Sequence, residues 1–115
     1  MQKSFLKDLR QEMWDKWKND CYFCNMRAFH LKRMHRLQDA LQIQIENTRM
    51  FPKNATANYN LACYLCLSNQ YDAAEFYLKK AIELNPKMHH LAGHDEDLRA
   101  IMPPWSALRD FNQNG

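Results

Sequence analysis

"ATANYNLACYLCLSNQYDAAEFYLKKAIELNP", residues 55–86, decides how this chain folds. Its hydrophobes recur at helical spacing on both sides of a polar break, which predicts helices near 55–68 and 71–84. Ser68–Asn69 supplies the reversal between them, because asparagine tolerates the left-handed backbone conformation. Asn54 or Thr56 is placed to cap the first helix, and Pro86 closes the second. The same layout stands one step upstream, with helices expected near 21–34 and 37–50. Pro52 and Pro86 are 34 residues apart, as are Ala40 and Ala74, and Ala28 and Ala62. Alanines in the middle of paired helices let backbones approach closely, and a proline ends the second helix of each pair. Small and punctuating residues at one common offset therefore describe a repeated helical hairpin.

Composition agrees with an all-α fold. Only two glycines and four prolines occur in 115 residues, and valine is absent, whereas Leu, Met, Ala, Lys, Gln and Glu are plentiful. At this length one domain is expected. A 46% apolar and 25% charged composition is ordinary for a soluble globular protein. "MQKSFLKDLRQEMWDKWK" (1–18) mixes charge with hydrophobes and has no apolar leader core. With no run of transmembrane length either, a cytoplasmic, membrane-free protein with reduced thiols is expected. Within that N-terminal stretch Phe5, Leu6, Leu9, Met13 and Trp17 form one stripe of an amphipathic helix, expected to pack on the rest of the domain. Near the other end, Asp95 in "HDEDLRAI" (94–101) is a candidate N-cap for a further short helix that Pro103–Pro104 stops. A net charge of +3 hints at acidic partners.

A helix–turn–helix unit of this length resembles the tetratricopeptide repeat. Leu61 and Ala62 match its first-helix core positions, Tyr71 and Ala74 open the second helix, and Ala81, Ile82, Leu84 and Pro86 close it. Residues 21–54 resemble a degenerate copy that keeps Ala28, Ala40 and Pro52. That copy has Asn47 where a small residue is usual, and neither Gly nor Asn at the turn near His35. "KMHHLAGHDEDLRAIMPPWSALRDF" (87–111) resembles the capping segment that often follows the last repeat in bacterial members. The resemblance implies a right-handed stack of helical hairpins. It divides the chain into an N-terminal helix (1–20), a degenerate repeat (21–54), a clear repeat (55–88) and a capping segment with tail (89–115).

All four cysteines fall in two C-x-x-C pairs, "CYFC" (21–24) and "LACYLC" (61–66). This spacing raises the alternative of a zinc-binding regulatory protein. Tetrahedral zinc needs its sulfurs about 2.3 Å from one ion, hence roughly 4 Å from each other. In the repeat frame residue 21 corresponds to residue 55, so the first pair begins eight residues earlier along its helix than the second. That is an axial offset of about 12 Å between neighbouring parallel helices. The sulfurs are therefore expected to be small packing or groove residues, with no metal and no cofactor. His89, His90 and His94 lack the acidic partner of an H-E-x-x-H site, and Gly93 interrupts their helix. "HLKRMHR" (30–36) is basic, but no nucleic-acid-binding fold or aromatic platform surrounds it. No spacing singles out a histidine to activate Cys63 as a nucleophile, so an enzyme is not expected.

In the repeat family the first helix of each hairpin lines a concave groove. Carried over by resemblance, the groove positions are Tyr22, Asn25, Phe29, Lys32 and Arg33 in the first copy, and Thr56, Tyr59, Cys63, Cys66 and Leu67 in the second. Such a surface suits a protein or peptide with apolar anchors and an acidic group. The expected function is a non-enzymatic adaptor. Two alternatives stay open: a homodimer sharing Trp14, Trp17, Trp105 and Phe111, and occupation of the groove by the chain's own C-terminal tail.

Overall fold

The computed structural model describes residues 2–17 and 19–102, with side chains over 8–16 and 19–102. Among the described residues the chain is all helix and turn: α1 (Gln2–Trp17), α2 (Cys21–Arg33), α3 (Leu37–Met50), α4 (Ala55–Leu67), α5 (Tyr71–Leu84), α6 (Met88–Gly93) and a 3-10 turn at Glu96–Leu98. No helix among them is long and apolar enough to cross a membrane.

The two hairpins, α2–α3 and α4–α5, share their caps and turns. Asp20 Oδ1 accepts from Phe23 N at 2.8 Å, and Asn54 Oδ1 from Ala57 N at 2.8 Å, so each first helix begins on a side-chain cap. Thr56, the other candidate cap, is exposed. Each first helix ends on a residue in the left-handed region, His35 at φ 60° and Asn69 at φ 64°. After it the chain is tied back by Arg36 N–H to Leu31 O and Gln70 N–H to Leu65 O, both 2.9 Å. Ala28, Ala40, Ala62 and Ala74 are all fully buried, as close backbone approach in each hairpin demands.

Helix α4 is the centre of the molecule, packed against α5, α3, α2 and the 96–98 turn. Its buried residues include every position from Leu61 to Cys66, and a helix apolar on all sides can only be an interior one. The first hairpin is built differently. Asn25 Oδ1 accepts from Gln44 Nε2 and from Asn47 Nδ2, both at 2.9 Å. Gln44 Nε2 also donates to Ala57 O at 3.0 Å, and Thr48 Oγ1 to the same carbonyl at 3.2 Å. Asn47 reaches Cys21 O at 3.2 Å. Asn47, one departure that made this copy look degenerate, thus belongs to a buried network joining α2, α3 and the start of α4.

Helix α1 departs from expectation. It meets the body through Trp14, whose ring centroid lies 6.3 Å from that of Phe23, while Leu9 and Met13 are exposed. The expected packing of the whole stripe is therefore not seen for these two residues. A cavity of about 630 Å³ bordered by Trp14, Cys24, Ile43, Asn47 and Met50 lies beside Trp14. The side chains of Phe5, Leu6 and Trp17, and the positions Pro103, Pro104, Trp105 and Phe111, lie outside the described residues.

Candidate protein-binding face

The first helices of the hairpins, α2 and α4, carry the groove positions, and the structure divides them into an open part and a closed part. Tyr22, Met26, Phe29 and Arg33 follow the i, i+4, i+7, i+11 spacing of one helical face, and all four are exposed. Tyr22 keeps 73% of its surface in solvent and Phe29 44%. The Arg33 guanidinium lies 5.8 Å from the Phe29 ring centroid, a cation–π contact. Helix α2 contains Arg27, Lys32 and Arg33 and not one acidic residue. Thr56 and Leu67, at the two ends of α4, are also exposed.

The closed part lies where the chain returns after α6. Gly93 ends that helix, and Asp95 caps the following turn by accepting from Asp97 N at 3.0 Å. The reversal lays residues 95–101 on α4. Tyr59 Oη donates to Asp95 Oδ2 at 2.7 Å, the Cys63 thiol lies 3.8 Å from the same oxygen, and Lys32 Nζ pairs with Asp97 Oδ2 at 2.9 Å. The backbone N–H groups of Ala100 and Ile101 reach the Cys66 sulfur. Leu98 is completely buried beneath the turn. Tyr59, Cys63 and Cys66 are buried on α4, where the chain's own segment meets them. Asn25 is buried as well, its side chain committed to Gln44 and Asn47.

The electrostatics follow from that cover. Burial, followed by the carboxylates of Asp95 and Asp97, pushes the Cys63 thiol far above its ordinary value. Burial and the hydrogen bond to Asp95 do the same to the Tyr59 phenol. Cys21, Cys24 and Cys66 are also raised, burial being the largest cause in each. These are protonated, poorly nucleophilic thiols.

Zinc held by all four cysteines does not fit this geometry. Cys21 sits against Asn47, with Nδ2 3.6 Å from its sulfur, whereas Cys63 sits against Asp95. Among the described residues, the group of potential ligands that does converge is Cys63, Asp95 and Asp97, within 4.8 Å of one another. Lys32 already occupies Asp97 there, and a cation in that place lowers the group's value as a metal site. The His90 and His94 rings meet at a tilt of 54° with centroids 5.0 Å apart and take no part in that group.

Asp95 and Asp97, which meet Tyr59 and Lys32, are the residues of this face that the sequence did not single out; it gave Asp95 only a capping role. The available signal was an acidic run, Asp95-Glu96-Asp97, in a chain whose α2 has no acid to balance its cations.

Residues 55–88 match the tetratricopeptide repeat family. No curated protein and no solved structure matches the chain. The match falls on the α4–α5 hairpin and the short link after it, and α2–α3 reproduces the same caps, turns and alanine contacts at the same offset. Residues 55–88 are thus a tetratricopeptide-type repeat, within a chain whose described residues fold as a tetratricopeptide-like stack of helical hairpins.

Proposed function

We propose that this chain is a non-catalytic adaptor that binds an acidic protein segment with apolar anchors along α2 and the adjoining face of α4. Proteins of this repeat type are in general interaction modules. The observation that carries the reading is the exposed stripe of Tyr22, Met26, Phe29 and Arg33 on a helix with no acidic residue. Large aromatic surfaces provide most of the energy in such contacts, and neighbouring cations select the charge of what binds. Protonated, covered thiols at Cys63 and Cys66 support binding over catalysis on this face.

Selection of phage-displayed random dodecapeptides on the immobilised chain tests it. Enriched peptides should combine Asp or Glu with aromatic or aliphatic residues. Against a synthetic copy of one of them, Tyr22→Ala with Phe29→Ala should weaken binding by roughly 30-fold or more, the scale of losing one good aromatic anchor. Helicity by circular dichroism should stay unchanged, because both side chains are exposed. Failure to enrich any peptide, or full affinity in the double variant, rejects this surface.

A further inference from the structure

The segment that closes the α4 face is itself acidic, and it uses a different contact for each of its side chains. Asp95 takes the Tyr59 hydroxyl, Asp97 takes the Lys32 ammonium, and Leu98 fills the apolar floor. Asp95 caps its own turn through Oδ1, but that role uses neither its second oxygen, which takes Tyr59, nor Asp97, and a charge at the covered face costs desolvation that an apolar residue avoids. Paired charges are instead how a surface recognises a particular segment. The Lys32–Asp97 pair is also accessible to exchange, with about a quarter of each side chain exposed, 27% and 25%. Lys32 stands one helical turn beyond Phe29, so the two parts of the face adjoin.

We propose that residues 95–98 are an intramolecular stand-in for the partner: the α2/α4 face recognises an Asp-x-Asp-Leu segment of an acidic protein, which binds by displacing the chain's own. The inference rests on the protein-binding reading of that face and names what the face reads. A tethered competitor acts at high effective concentration, so the closed chain binds such a segment weakly and the opened chain binds it well. Opening also uncovers Cys63 and Cys66, which makes their alkylation a direct measure of the closed state.

The test uses the full chain and a fluorescein-labelled peptide, HDEDLRAIM, copied from residues 94–102. Asp97→Lys breaks the tether and leaves the receptor residues intact. It should raise iodoacetamide labelling of Cys63 and Cys66 about tenfold and tighten peptide binding by about the same factor. Lys32→Asp should expose the thiols equally but not gain peptide affinity. Combining Lys32→Asp with Asp97→Lys reverses the pair and should restore thiol protection. If Asp97→Lys loses helicity, Asp97→Asn takes its place, with a rise of roughly threefold in both readouts. Thiols that stay protected in the opened variant overturn the proposal, as do exposed thiols without a gain in peptide affinity, which mark a static cap. An opened variant that binds display-selected peptides but not HDEDLRAIM defeats this inference alone. One that binds neither defeats the protein-binding reading with it.

Discussion

His35 turns the first hairpin in the left-handed region, at φ 60°, where the second hairpin has Asn69 at φ 64°. A residue with a Cβ strains there by about 1–2 kcal/mol, and asparagine tolerates the region better than histidine does. His35 is exposed and its backbone N–H is held by Lys32 O at 3.1 Å, so its side chain offers little to offset the strain. His35→Asn should therefore stabilise the chain by roughly 0.5–1 kcal/mol, read as a rise of a few degrees in thermal midpoint. A fall in the midpoint would mean that the imidazole contributes a contact beyond its backbone role. The turn shows the limit of residue types as signals. The position was legible because its partner 34 residues on is an asparagine, but the histidine alone does not announce a left-handed turn.

At the scale of elements, the two hairpins reach the same shape with opposite interiors. In the second, Leu78 and Ala81 of α5 are buried where α3 has Gln44 and Asn47, and Tyr59 stands where α2 has Asn25. The second hairpin was legible in sequence because alanine, leucine and proline at helical spacing leave few other ways to fold. The first was harder to read because its interior side chains are types that usually face solvent. Their burial makes sense only once Asn25, Gln44 and Asn47 are seen to satisfy one another across two helices. Asn25 is the hub, since both other amides donate to it. Asn25→Ala should cost about 1–3 kcal/mol by removing that shared acceptor, measured by urea unfolding. Asn47→Ala, which restores the small residue usual at that point of the repeat, should cost less, because Gln44 keeps its bonds to Asn25 and to Ala57 O. Equal losses in the two variants would show that the network has no hub.

For the molecule as a whole, the decisive contact is the one between the α2/α4 face and residues 95–101. Tyr59 and Asp95 are 36 residues apart, and nothing local to either records the pairing, which is why the sequence left open what fills the groove. The same contact sets how stability should depend on pH. Ordinary values are 9.0 for a cysteine thiol and 10.0 for a tyrosine phenol, and burial raises Cys63, Tyr59 and Tyr64 well above them. The folded chain then keeps these protons in a range where the unfolded chain has released them. Stability from this source is complete below pH 9 and declines as pH rises, first through the thiols and then, above pH 10, through the phenols as well. For Cys63, held far above its ordinary value, the slope approaches about 1.4 kcal/mol per pH unit once its unfolded form ionises. Urea midpoints in reducing buffer should thus be flat from pH 7 to 8.5 and fall steadily towards pH 10.5. Cys63→Ala should reduce the first part of that decline, and Asp97→Lys, by admitting water to Cys63 and Tyr59, should reduce both parts. A wild-type profile that stays level to pH 10.5 would mean that the segment over α4 does not hold those groups away from solvent, and the closed face with it.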